Sequence, residues 1–272
     1  MLKYILFILS FIILNSYALY YPSNPNIPSM NQIKYNYKLP FDLIDLKIET
    51  KDHEFIHLYY GIHLNSSQLL LLFQSNAGCF LDRLFLLKSF YSKFNISVGI
   101  LSYRGYGNST GKPSEQGFIE DALASLSYLN KEGIPIQNII IIGRSIGVGV
   151  ALSITQILPI KKLILENGFT SLIEFLPSLQ NNEVMIRDPW LNEQKIETIN
   201  KNTSILFLLS EEDEIVPTWM TRKMEKKARD LGIQTKLVSF PGAKHMQLPY
   251  YDNYYRVIKE FLNEQKQRGL SK

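Results

Sequence analysis

Short, wholly apolar runs alternate with longer amphipathic stretches over most of this chain. Leu69–Phe73, Val98–Leu101, Ile139–Ile142, Leu163–Leu165 and Ile205–Leu209 carry no polar face, and Lys236–Phe240 closes the series. Runs of that length, rich in Leu, Ile and Val, predict strands buried on both sides of a parallel sheet. The stretches between them keep a helical period. Helices are expected from about Leu81 to Phe94, from a Ser114 cap to Asn130, over Ile146–Leu158, over Trp219–Leu231, and from about Tyr251 to Gln267. In the second of these, Phe118, Ala122, Leu126 and Leu129 share one face, and Gly133 follows as the stop. Ahead of the series the period is two. Leu46, Ile48 and Thr50, then Phe55, His57 and Tyr59, alternate about Lys51-Asp52-His53, which predicts an antiparallel pair. Strands alternating with helices predict an α/β fold with a mainly parallel sheet, helices on both faces, and ligands beyond the C-terminal strand edge.

Three stretches break this rhythm. Met1-Leu2-Lys3 is followed by the apolar run Tyr4–Leu14 and by small residues at Ser16 and Ala18, as in a signal peptide. If the helix continues to Tyr21 the run approaches membrane-spanning length, so a cleaved signal and a retained signal anchor both remain open for residues 1–20. Residues 21–40, with several prolines and asparagines, read as a linker. Residues 41–267 are expected to form one α/β domain. Within it Gly168–Asn202, carrying Phe169, Phe175 and Trp190, reads as a short lid over the site. Sequons at Asn65, Asn95, Asn108 and Asn202 agree with a secretory route, luminal or secreted.

Composition narrows the classes. With 272 residues and 46% hydrophobic side chains the chain can bury one large core. The net charge of +4 is scattered, which argues against a nucleic-acid partner. Cys79 is the only cysteine, so no internal disulfide forms, and beside Gly78 it reads as a packed small residue. His53, His57 and His63 lie on the alternating segment without a helical pairing or carboxylate cluster, so packing is the expected role and no metal is assigned. The glycine-punctuated loop Tyr103–Gly111 lacks a P-loop ending, so no nucleotide is assigned.

Candidate chemistry centres on Gly143-Arg144-Ser145-Ile146-Gly147, where an apolar strand runs directly into a helix. A strand, G-x-S-x-G and a helix in that order make a nucleophile elbow, with Ser145 on a sharp turn and the helix N-terminus behind it. A serine hydroxyl needs a base, and the base needs an orienting carboxylate. His245, after the last strand, is the only histidine that follows Ser145. Among Glu211-Glu212-Asp213-Glu214, Asp213 is preferred as the acid, although spacing alone leaves Glu212 open. The oxyanion donors are assigned to the N–H of Ile146 and to the loop after Leu69–Phe73, with Asn76 the best candidate.

Residues 69–262 resemble the α/β-hydrolase superfamily, particularly its membrane-anchored members of the alpha/beta hydrolase domain-containing protein 13 type. The resemblance rests on Asn76-Ala77-Gly78, on Tyr103-Arg104-Gly105-Tyr106-Gly107 with Gly111-x-Pro113-Ser114-Glu115, on Gly143–Gly147, and on Asp213 and His245. It implies an α/β-hydrolase fold, a Ser145–His245–Asp213 triad and an N-terminal anchor. The chain departs from the family at Gln74-Ser75, where the family carries His-Gly. The expectation is a serine hydrolase that cleaves a carboxylic ester or thioester, lipid-like or acyl-protein, through an acyl-enzyme and without a cofactor. The alternative from another class is a non-catalytic α/β-hydrolase-like binding or scaffold protein at a membrane.

Overall fold

The computed structural model describes residues 19–176 and 187–264. The apolar leader up to residue 18, the centre of the expected lid (177–186) and the last residues of the expected C-terminal helix lie outside them.

The expected strands pair into one sheet. β2 (Ile44–Glu49), β3 (Phe55–Gly61), β4 (Leu69–Phe73), β6 (Ser97–Ser102), β7 (Ile139–Arg144), β8 (Lys162–Glu166), β9 (Ser204–Ser210) and β10 (Gln234–Phe240) lie in the order β10-β9-β8-β7-β4-β6-β3-β2. Neighbours from β10 to β6 are parallel, and β3 and β2 add an antiparallel margin. Every residue of β4, β6, β7, β8 and β9 is buried, which is why their sequences show no alternation. β2 and β3 form the ladder the alternation predicted, with Leu46 opposite Leu58 and Ile48 opposite Ile56.

Helices cover both faces. On one, α3 (Glu115–Lys131), α4 (Ile146–Ile157) and α7 (Thr218–Asp230) bury Phe118, Leu126, Val148, Leu152, Met220 and Met224. On the other, α1 (Met30–Tyr37), α2 (Leu84–Phe94) and α8 (Asp252–Asn263) bury Ile33, Leu84, Phe90, Tyr254 and Phe261. Lys162 of β8 is buried, and its ammonium donates to the carbonyls of Phe261 (2.8 Å) and Leu262 (2.5 Å), closing the C-terminal turn of α8. Chain order reverses at β4. The path runs outward to β6, crosses back over β4 through α3, and continues from β7 to β10. Connections leave β4 and β7 toward opposite faces, and an open α/β sheet ordinarily holds its ligand in the crevice at such a point.

The stretch expected to be a linker is more ordered than its prolines suggest. Ser29 and Gln32 form a reciprocal capping box, Ile33 is buried, and Lys38 closes α1 in a left-handed conformation at φ 50°. Earlier still, the two-residue strand β1 (Tyr21–Pro22) pairs in parallel with β5 (Ala77–Gly78), the strand just after β4. The flanks of the expected lid are core. α5 (Leu172–Phe175) and α6 (Asn192–Lys195) bracket the undescribed centre, and Phe169, Leu172, Trp190 and Ile196 are all buried.

Candidate active site

β7 brings Ser145 to the C-terminal edge of the sheet through a turn that only particular residues permit. A Cβ at Gly147 would stand 2.1 Å from the Phe73 carbonyl oxygen, and one at Gly143 would stand 2.5 Å from the Gly147 oxygen. The turn therefore closes against the end of β4. Ser145 itself has φ 53° and ψ −115°, a conformation that costs an L-residue of order 1–3 kcal/mol and is held by its surroundings. Its N–H donates to the Glu166 carbonyl at 2.9 Å, tying the elbow to β8. The hydroxyl makes no capping bond to α4, which begins at Ile146. As the first residue of a helix, Ile146 has no intrahelical acceptor for its N–H.

β9 and β10 supply the next two residues. Asp213 Oδ2 lies 2.7 Å from His245 Nδ1, with side-chain exposures of 1% and 4%. The other carboxylate oxygen is occupied, since Asp213 Oδ1 accepts the N–H groups of Ile215 (2.9 Å) and Val216 (2.7 Å). Those bonds fix the carboxylate so that only one oxygen faces the imidazole. Glu212 is exposed, which resolves the choice left open by spacing as far as the partner of His245 goes. Glu214 is not a free loop charge. It accepts the His245 N–H at 3.0 Å, and that bond pulls its carboxyl below the usual carboxylate range.

Asn167, which follows β8, completes the frame and was not foreseen from sequence. Its Nδ2 donates to the His245 carbonyl (2.8 Å) and to Ser210 Oγ (2.9 Å), while its Oδ1 accepts the Ser210 N–H (2.8 Å). A φ of 49° at position 167 suits asparagine among non-glycine residues. Left-handed asparagine after an apolar strand was the only available signal.

The oxyanion loop is more occupied than expected. The Asn76 side chain donates to the Leu19 carbonyl (2.6 Å) and its Oδ1 accepts from Tyr106 Oη (3.0 Å) and the Tyr21 N–H (3.3 Å). Only its main-chain N–H is left for an oxyanion. Ser75 is buried and accepts from Arg83 Nη2 at 3.0 Å, and the same nitrogen donates to the Ala77 carbonyl at 2.9 Å. Arg83 thus fills out the loop where the resembled family has glycine. Gln74 is fully buried, and neither its Oε1 nor its Nε2 has a hydrogen-bond partner.

Beneath the elbow lies a buried ionic group. Arg144 Nε pairs with Glu166 Oε2 at 2.7 Å, both side chains being almost completely enclosed, and Tyr254 donates to Glu166 Oε1. Burial pushes the Glu166 carboxyl up, against the opposing pull of Arg144 and the Tyr254 hydroxyl. At the far side of the crevice the glycine-punctuated loop is fixed by Arg104, which donates from its N–H (2.7 Å) and Nε (2.9 Å) to buried Asp121 and from Nη1 (2.6 Å) to Asp52. That fixation gives Arg104 a structural role in the loop. Among the described residues no cluster of His, Cys, Asp and Glu could hold a metal ion.

The arrangement places a strained serine, an oriented imidazole–carboxylate pair and a helix N-terminus at the same end of one parallel sheet, after β7, β9 and β10. Such a group can transfer an acyl chain through a serine ester.

The profile of the Dienelactone hydrolase family matches residues 120–256. The chain is 33% identical to protein bem46 of Schizosaccharomyces pombe over 253 residues, covering 89% of this chain and 82% of that protein. It is 29% identical to the lysophosphatidylserine lipase ABHD12 of Danio rerio over 184 residues, 58% of this chain and 45% of that one. Among solved structures, the esterase Pf2001 of Pyrococcus furiosus superposes with a TM-score of 0.72 at 13% identity, covering 89% of this chain and 98% of that chain.

Proposed function

The chain belongs to the dienelactone hydrolase family of the α/β-hydrolase superfamily, and from that premise we propose that it is a serine hydrolase acting through Ser145, His245 and Asp213. The buried 2.7 Å contact between His245 and Asp213, on the loops after β10 and β9 at the sheet end that carries the Ser145 elbow, supports this reading. His245 takes the hydroxyl proton as Ser145 attacks the acyl carbonyl, and Asp213 holds the imidazole and its developing charge. The main-chain N–H groups of Ile146 and Asn76 receive the oxyanion, each donor of this kind contributing about 3–4 kcal/mol. His245 then protonates the leaving alcohol or thiol. Water, deprotonated by the same imidazole, releases the acid. No step calls for a metal or an organic cofactor.

The substrate is a carboxylic ester or thioester with an apolar acyl chain, presented on a lipid or an acylated protein. The apolar run Tyr4–Leu14 supports a membrane-proximal site in the secretory system, and a relative named as a lysophosphatidylserine lipase supports a lipid ester. Among the described residues no helix is long and apolar enough to cross a membrane, and the leader lies outside them.

Labelling of the full-length protein by a fluorophosphonate probe, beside Ser145→Ala and His245→Ala, tests the assignment. Labelling confined to the unsubstituted protein is expected. Equal labelling of Ser145→Ala, or none of the folded parent, overturns it.

A further inference from the structure

The oxyanion loop is gripped by a piece of chain from outside the expected catalytic domain. β1 runs alongside β5, with Tyr21 opposite Ala77 and Pro22 opposite Gly78. The Ser23 N–H continues the ladder to the Gly78 carbonyl at 3.2 Å. Asn76 brackets the same segment through Leu19 and Tyr21, and the Gly107 N–H donates to the Ser23 carbonyl at 3.1 Å. Tyr106 donates to the Asn76 carbonyl at 2.6 Å, closing the bracket from the opposite side.

The side chain between those bonds turns inward. Tyr20 is 5% exposed and meets Phe118 of α3 edge-on, with ring centroids 5.2 Å apart. Its hydroxyl donates to Asp188 Oδ2 (3.0 Å) and accepts from Trp190 Nε1 (3.2 Å). Asp188 Oδ1 in turn accepts the Glu115 N–H (3.1 Å) at the start of α3, and Glu115 accepts the Trp190 N–H (2.7 Å). Trp190 lies against α4 so closely that a Cβ at Gly149 would stand 2.3 Å from its ring. The segment is thus fastened inward to the helix that carries the nucleophile and outward to the loop that carries an oxyanion donor.

We propose that Leu19–Ser23 is a strap that positions the oxyanion loop against the Ser145 elbow, with Tyr20 and Asn76 as its positioning residues. Neither side chain touches the reacting atoms. A surface loop is ordinarily among the more mobile parts of a fold. An oxyanion donor, however, works only within about 2.7–3.1 Å of the oxygen it stabilises, and a misplacement of about 1 Å can cost about 100-fold in rate. The strap converts the loop into the edge of a small paired strand whose far side is anchored in the core. Burial holds the Tyr20 hydroxyl far above its ordinary titration range, so it remains a donor to Asp188.

This role rests on the acyl-transfer reading above. The test measures kcat and KM for p-nitrophenyl butyrate, the rate of fluorophosphonate labelling and the melting midpoint of full-length Tyr20→Phe, Asn76→Ala and the double variant. Tyr20→Phe keeps the ring on Phe118 and removes only the hydroxyl. Its kcat is expected to fall about five- to tenfold, and that of Asn76→Ala about 10- to 100-fold, with KM within about twofold. Because Tyr20 acts through the grip of Asn76, the double variant is expected to be no slower than Asn76→Ala alone. Losses that multiply in the double variant overturn the strap, as does a lowered melting midpoint with kcat unchanged. If Asn76→Ala does not fold, an unchanged kcat in Tyr20→Phe overturns it alone. A parent protein that takes no label removes the catalytic reading itself and the strap with it.

Discussion

Asn167 and His245 are 78 residues apart in sequence, yet the Asn167 amide donates to the His245 carbonyl at 2.8 Å. The bond ties the base loop to the end of β8, the strand that also receives the Ser145 N–H. Base and nucleophile therefore hang from one strand end. Asn167→Asp keeps the acceptor for Ser210 and loses this donor. It is expected to lower kcat about 10- to 100-fold with little change in KM, read from steady-state hydrolysis of a soluble ester.

Asp213→Asn retains the shape of the side chain but no longer accepts the imidazole N–H. The histidine is then driven to the wrong tautomer, and kcat is expected to fall about 10,000-fold. Glu212→Gln, on the exposed neighbour, leaves kcat unchanged in the same assay.

Gly147→Ala forces a methyl group to within 2.1 Å of the Phe73 oxygen, which belongs to backbone and cannot move aside cheaply. A loss of about 2–4 kcal/mol in urea unfolding is expected, of the size seen when a packed core is overfilled.

Gln74 buries an amide with nothing to bond. Leaving such a group unpaired costs about 1–3 kcal/mol, so Gln74→Leu is expected to match or exceed the parent in urea unfolding. A loss of more than about 1 kcal/mol would mean that the amide has a partner in solution.

Asp121 gives the stability a pH dependence. Burial raises its carboxyl to about 6, against the pull of Arg104. Between the unfolded value near 3.8 and about 6, the folded protein holds a proton that the unfolded chain has lost. The stability that Asp121 contributes therefore falls as pH rises through that window and levels off above it, by on the order of 2–3 kcal/mol. Asp52, which the Arg104 hydrogen bond holds far below its ordinary range, acts in the opposite direction and at lower pH. Unfolding of the parent and of Asp121→Asn across pH 4 to 7 checks the sign, the falling slope being expected in the difference between the two.

What was legible in the sequence follows from what each residue touches. Ile139–Ile142 and Leu69–Phe73 are buried on both faces, so their apolar runs declare central strands without an alignment. Ser145 and Asp213 follow such strands and His245 follows the half-buried edge strand β10, and the order of these strands in the sheet is also their order along the chain. Asn167, Glu214 and Arg83 were opaque because their roles are hydrogen bonds to main-chain atoms or to a serine, and an isolated Asn, Glu or Arg looks the same in any loop. α1 was hidden for a related reason. Its one buried side chain, Ile33, gives no period, and prolines flank it. Asn76 was legible as a loop residue after β4, but not the bonds of its side chain to Leu19, Tyr21 and Tyr106.

The grip of Asn76 on Leu19 also sets a leash. Leu14 ends the apolar run, and the residues from there to Leu19 reach at most about 18 Å even when drawn straight. A domain of this size is roughly 45 Å across. If the leader is retained, the Asn76 loop stays within that tether's radius of whatever Tyr4–Leu14 engages, while the opposite, N-terminal edge of the sheet is out of reach. The mouth of the crevice is the face turned toward the leader's attachment. On the acyl-transfer reading, a substrate delivered from that side arrives at the end of the sheet that carries Ser145.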